Sequence, residues 1–347
     1  MNKKQKYIVL GLAIAAAMIG LWSTSVGAVT IPFKALFSVI AAGFGLELGE
    51  YLPEHYTVFW VIRFPRILMA LMVGAVLAVT GAAMQGLFRN PLADPSIIGV
   101  AGGGAMMAAI FIVIGGGGLM LALPVAGDVA LIIFTFIGAL LTTLLVFTIS
   151  IKKGKSNVAT MLLAGIAINA LAGAVTGFLT YIANDEQLRD LTFWTMGSLG
   201  GANWQKVGLF FLLNAFPVFV LLQQHKGLNA LTLGESQANH LGVNVGRLKK
   251  YLIICVAIAM ASTVAFCGII GFVGLVVPHI LRTAAGPNNR YVLLGSLLGG
   301  MVLLTLADTF ARTLVTPAEI PIGIITSLAG APVFLSLLIR NKLKNTL

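Results

Sequence analysis

Charged residues divide this chain into long apolar stretches. The intervals free of Asp, Glu, Lys and Arg are 7–33, 67–88, 95–127, 129–151, 156–184, 207–225, 251–281, 291–307 and 320–339. A helical crossing of hydrocarbon needs about 20 largely apolar residues, so each interval clears or approaches that length. Two shorter intervals, 35–46 and 191–205, cannot cross; rich in Phe, Trp or Gly, they predict helices lying at the membrane interface.

Nine crossings would leave the two ends on opposite sides, yet both ends are basic: Lys3, Lys4 and Lys6 at one, Arg340, Lys342 and Lys344 at the other. The excess of Lys and Arg in cytoplasmic segments of membrane proteins places both inside. Interval 251–281 restores the parity. Gly268, Gly271 and Gly274 interrupt it, so it divides into spans of about 251–267 and 269–283. The expected fold is all-α and polytopic, with ten transmembrane helices in a single domain over 1–347 and both termini cytoplasmic.

Composition agrees. Of 347 residues 59% are hydrophobic and 10% charged, and the mean hydropathy is +1.00, whereas a soluble domain carries roughly 25% charged residues. The net charge of +11 is distributed unevenly under the ten-span topology. Sixteen of the 22 Lys and Arg but only Asp94 and Glu235 of the 11 acids fall inside, which gives +14 inside and −3 outside. The basic excess is therefore an orientation signal and a contact with anionic lipid, and nucleic-acid binding loses its motive.

The N-terminus, with a Lys-rich start, an apolar run from Tyr7 to Trp22 and Ser-Val-Gly-Ala at 25–28, has the outline of a secretory signal. Its removal would leave nine crossings and a basic C-terminus outside, so it is expected to stay as the first span. Cys255 and Cys267 lie 12 residues apart on one apolar helix, about 18 Å along its axis, too far for a disulfide.

The sequence predicts no catalytic residues and no metal site. There is no HExxH, GxSxG or CxxC, and His55, His225, His240 and His279 are scattered. Gly154-Lys155-Ser156 imitates the end of a phosphate loop, but that loop needs glycine five positions before Gly154, where Ile149 stands. Any ATP is hydrolysed by another chain.

Three polar segments remain. Arg89-Asn-Pro-Leu-Ala-Asp-Pro95 is an inner turn stiffened by two prolines. Segment 225–250 is long enough for two short surface helices separated by Gly242, and a loop of that length suits a cytoplasmic partner. On the outside, Arg63 and Arg66 share a helix face and Arg312 lies near Asp308 and Glu319. These arginines are either neutralised by the outer acids or form a docking surface for an acidic partner.

Seven motifs, in order, extend over essentially the whole chain: Arg63-Phe-Pro-Arg66; Gly81-Ala-Ala-Met-Gln85 running into Arg89 through Pro95; Leu163-Ala-Gly-Ile-Ala167; Leu233-Gly-Glu235 through His240-Leu-Gly-Val243; Gly271-Phe-Val-Gly-Leu-Val-Val-Pro-His279; Ala307-Asp308 with Arg312; and Glu319-Ile-Pro-Ile-Gly323 through Gly330-Ala-Pro332. Together they resemble the permease family of type II ABC importers for ferric siderophores, heme and cobalamin.

The resemblance implies a homodimer in the bacterial inner membrane, with two ATPase subunits beneath and one substrate-binding protein above. It implies no cofactor in this chain, ATP and magnesium being held by the ATPases. Gly234, Glu235, Ala238, His240, Leu241 and Gly242 fall on the family's ATPase-coupling helices. Arg63, Arg66 and Arg312 fall on its binding-protein contacts. Asn90 and Leu92, facing Asn157 and Val158, fall at its cytoplasmic gate, although the family often has small hydroxyl residues where this chain has Asn-Val-Ala. Phe193, Trp194 and Trp204 fall on a short outer helix lining the cavity mouth. A rival from another class, an ion-coupled secondary transporter, would place ionisable residues mid-span beside a broken helix; the core intervals carry none, and His279 after Pro278 is the nearest.

Overall fold

Each apolar interval holds a helix, and six of the described helices begin on an asparagine side-chain cap. α1 (Lys3–Ser25) starts inside the Lys cluster because Asn2 and Gln5 cap each other reciprocally. α2 (Phe33–Gly43) is the short helix expected at 35–46. α3 (Pro53–Thr57) continues through a π-helical turn, Val58–Arg63, into α4 (Phe64–Phe88). A 3₁₀ turn, Pro95–Ile98, precedes α5 (Val100–Val113). α6 (Gly127–Ser150) and α7 (Val158–Ile182) are joined by two-residue antiparallel strands, β1 (Ile151–Lys152) and β2 (Lys155–Ser156). There follow α8 (Asp185–Thr195), α9 (Trp204–Gln223), α10 (His225–Leu231), α11 (Glu235–His240), α12 (Val245–Cys267), α13 (Val273–Ala285), α14 (Asn289–Ala311) and α15 (Ile322–Lys344). This computed structural model describes residues 1–27, 29, 31–46, 49–115, 127–152, 155–315 and 318–344. The 116–126 part of the interval 95–127 lies outside them, as does Gly154 of the phosphate-loop imitation.

Seven of the described helices are long and apolar enough to cross a membrane, and α5, α13 and the apolar part of α15 are shorter. The break inside 251–281 is where the glycines place it. α12 ends at Cys267, and Gly268 takes a backbone with φ +69° and ψ −159°, outside the range of L side chains. A Cβ there would also lie 2.2 Å from the Trp194 carbonyl. Cys255 and Cys267 are both buried free thiols on α12.

The helix of span two, which carries Arg63 and Arg66, runs unbroken from Pro53 to Phe88. Pro65 has no N–H to donate, and the turn before it widens so that Phe64 N–H reaches the carbonyl of Phe59, five residues back. Interval 191–205 is not one helix. α8 starts earlier, where Asn184 and Gln187 cap each other, and Trp204 instead opens α9 behind the Asn203 cap. Between α8 and α9 the chain turns at Gly197, φ +72°. Finally, the two short helices of 225–250 are separated at Thr232–Gly234, not at Gly242, which ends the second of them.

α4 is the centre of the bundle, touching α9, α12, α13 and α14. The most apolar window of its span is 83% buried, against 17% for α1 and for α7, whose outward faces are left to lipid or another chain. Two glycine contacts set the approach: a Cβ on Gly74 would lie 2.2 Å from the Gly300 carbonyl of α14, and one on Gly81 would lie 1.8 Å from the Gly274 carbonyl of α13. Backbones this close are the small-residue packing of membrane helices.

Candidate functional site

Polar chemistry gathers at the two ends of the bundle. At the end assigned by charge to the outside, Arg66 projects from the first turn of α4 toward the last turn of α14. Its Nε and Nη2 donate to Asp308 Oδ1 at 3.0 and 2.9 Å, and its Nη1 donates to Glu319 Oε1 and Oε2 at 2.8 and 2.9 Å. Asp308 also stands 3.8 Å from Arg312 Nε. Arg312 donates through Nη2 to Ser23, to its carbonyl and, at 2.6 Å, to its Oγ. Arg63 donates to the carbonyls of Thr24 at 2.8 Å and Val29.

The three arginines are only 4%, 8% and 8% exposed for Arg63, Arg66 and Arg312. Of the two alternatives open from sequence, internal neutralisation is what holds Arg66. For Arg63 and Arg312 the acceptors lie on α1 and the chain just after it, which the sequence does not mark because most are backbone carbonyls. Both guanidinium groups face into the protein and bond there, bracing α1 against α4 and α14. Arg66 keeps an opening. A depression of about 120 Å³ is lined by Arg66, Glu319, Phe193 and Ser198, and the Glu319 side chain is 47% exposed.

The aromatic residues predicted at the cavity mouth divide. Phe193 is exposed beside that depression, and Trp194 is partly buried against the core. Trp204 donates its indole N–H to the Trp60 carbonyl at 2.8 Å and lies over the Trp60 ring, centroids 6.4 Å apart, which ties α9 to the π-helical turn.

At the opposite end, α4 stops on Arg89, a non-glycine residue at φ +51°. Asn90 Oδ1 then accepts from Leu92 N–H at 2.9 Å, and Asp94 Oδ1 accepts from Ser96 N–H at 2.8 Å, so the inner turn is held by its own side chains. Asn157 Oδ1 caps α7 by accepting from Thr160 N–H, with Val158 as the first helical residue. The 3₁₀ turn that follows the first loop packs farther along α7, beyond Asn157: a Cβ on Gly165 would lie 2.0 Å from the Ile97 carbonyl, and Asn169 Nδ2 donates to the Ser96 carbonyl at 3.3 Å. A cavity of about 280 Å³ extends from Asp94 and Ser96 past Thr263 to the broken segment Gly268–Phe272.

α11 ends in a Schellman motif. Val243 N–H reaches the Ala238 carbonyl at 3.0 Å and Gly242 N–H the Asn239 carbonyl at 3.0 Å, with Gly242 at φ +82°. Ala238 is buried, and Glu235 pairs with Lys249 of α12 at 2.7 Å. These contacts leave Leu233 and Leu241 64% and 63% exposed on either side of α11, near the exposed His240. Sequence inspection missed Asn229, Asn289 and Arg282, which join this segment to the core; a buried Asn at the start of a span was the only available signal.

Residues 13–340 match the FecCD transport family. The chain is 42% identical to the hemin transport system permease protein HmuU of Yersinia pestis, covering 98% of each. It is 41% identical to the cobalamin import system permease protein BtuC of Halobacterium salinarum, covering 89% of this chain and 79% of that one. Among solved structures, a metal-chelate type ABC transporter in an inward-facing conformation superposes with a TM-score of 0.83 at 33% identity, covering 96% of this chain and 99% of that one.

Proposed function

From the premise that this chain belongs to the FecCD transport family and is a multi-pass ABC permease, itself not catalytic, we propose that it forms the substrate pathway of an importer for a ferric siderophore, heme or cobalamin. Ten crossings are counted as α1, α3–α4, α5, α6, α7, α9, α12, α13, α14 and α15, with both termini cytoplasmic and the bacterial inner membrane as location. Two copies line one pathway, two ATPase subunits holding ATP and magnesium bind beneath, and one substrate-binding protein docks above.

The observation that carries this proposal is the α11 segment. Leu233 and Leu241 are large apolar side chains held in water-facing positions by a capped turn and the Glu235–Lys249 pair. Apolar side chains fixed in this way on a polar rim suit a protein partner, here the ATPase. ATP binding would draw the two α11 segments together, and the bundle would switch the side to which it opens. The turn at Asn90 and Leu92 and the start of α7 at Asn157 and Val158 serve as the inner gate. Docking of the binding protein centres on Arg66, where a partner carboxylate takes the place of Glu319.

Reconstitution tests this. The permease with its ATPase and binding protein in proteoliposomes should take up substrate only with ATP; uptake without the ATPase subunit would refute it. Calorimetry of the binding protein against heme, cobalamin and a ferric chelate identifies the substrate.

A further inference from the structure

α10 is joined to the transmembrane core through a run of polar contacts that no part of the proposed function uses. Asn229 Oδ1 accepts from the Asn289 N–H at 2.8 Å and from Asn289 Nδ2 at 3.0 Å, at the first turn of α14. Asn289 is fully buried. Its own Oδ1 accepts from Arg282 Nη1 of α13 at 3.3 Å, and Arg282 Nη2 donates to the Ala82 carbonyl of α4 at 3.3 Å. Four elements thus meet through three side chains. Gly86 makes room for them: a Cβ there would stand 3.1 Å from Leu228 and 3.4 Å from Asn289 Oδ1.

The contacts are graded. The Asn229 bonds are short, whereas both Arg282 bonds are at the long end of the N–H···O range. Arg282 Nε is buried without a hydrogen-bond partner, so the guanidinium is held through its two terminal nitrogens, one on α14 and one on α4. Hydrogen bonds that are firm at α10 and run on through α14 and α13 to α4 form a contiguous route along which displacement passes. α4 runs from Ala82 to Phe88 and then directly into the turn bearing Asn90 and Leu92.

We propose that Asn229, Asn289 and Arg282 are positioning residues that transmit displacement of α10–α11 to α4 and α13, and so couple ATP hydrolysis to opening of the inner gate. This rests on α11 being the ATPase contact. The test uses the whole complex in proteoliposomes and reads substrate moved per ATP hydrolysed. Asn229→Ala, which removes the shared acceptor, should keep subunit assembly and hydrolysis while the ratio falls about tenfold, the scale of one buried hydrogen-bonded contact. Asn229→Asp keeps an acceptor oxygen and should recover most of the ratio. Arg282→Lys keeps the charge but loses the two-armed reach, and should lower the ratio in the same direction. A wild-type ratio in Asn229→Ala and Arg282→Lys would overturn the relay. So would hydrolysis and transport declining together at constant ratio, or loss of assembly in both variants, since each indicates a static brace. Failure of the underlying premise is separately visible: the ATPase would remain bound to a Leu241→Asp permease.

Discussion

Arg66 and Asp308, 242 residues apart in the chain, meet side-on at 3.0 and 2.9 Å where α4 begins and α14 ends. The Asp308 side chain is 1% exposed and the Arg66 side chain 10%. Such a pair adds little net stability relative to apolar packing, but losing one partner leaves a buried charge uncompensated.

Asp308→Ala is therefore expected to destabilise the protein by about 3–5 kcal/mol, since both Arg66 and Arg312 lose their shared carboxylate. Thermal unfolding of the detergent-solubilised protein measures it. A change comparable to that of a surface substitution would show that water or lipid headgroups satisfy the arginines.

Glu319 is the exposed partner of the same arginine, and Glu319→Gln should change stability by no more than about 1 kcal/mol. Its effect on docking should have the opposite sign. With the competing carboxylate neutralised, Arg66 is freer for an acidic binding protein, so affinity by calorimetry should rise by about threefold to tenfold. A fall would mean that Glu319 itself makes the contact.

Leu241→Asp places a charge on the apolar rim of α11, at the C-cap within the Schellman turn, whose hydrogen bonds are all made by backbone groups. ATPase subunits should no longer co-purify, a loss of at least about 2 kcal/mol of association. Helix content by circular dichroism should stay at the wild-type value.

Gly81→Val forces a side chain against the Gly274 carbonyl. Separation of α4 from α13 should cost about 1–3 kcal/mol or more, read as a lowered midpoint on heating. Gly173→Val, on α7 where a Cβ meets nothing within 4 Å, is the matched control and should leave that midpoint almost unchanged in the isolated permease.

Much of this architecture was legible because lipid permits few charges. The interval 251–281 was too long for one crossing, and its glycines marked the break now seen at Gly268. Arg63 and Arg66, expected on one helix face at the start of span two, do sit on one continuous helix, but the buried acceptors that hold them were not legible. Arg63 bonds to carbonyls of Thr24 and Val29, and backbone acceptors leave no trace in a sequence. The Asn229–Asn289 contact was illegible for another reason, since two asparagines 60 residues apart are unremarkable until folding places them together. Trp194 and Trp204 were expected on one helix within one apolar interval; the Asn203 side chain, which caps α9 by accepting from Lys206 N–H, separates them.

The glycine contacts of α4 constrain how the protein can change shape. Where backbone rests on backbone, at Gly74 against Gly300 and Gly81 against Gly274, no side chain can change rotamer to absorb a shift. Sliding of α4 against α13 or α14 would have to open a void along the whole crossing. These three helices consequently move as one rigid keel: a displacement that reaches any of them is carried by all three, and relative sliding is left to the thinly buried helices around it.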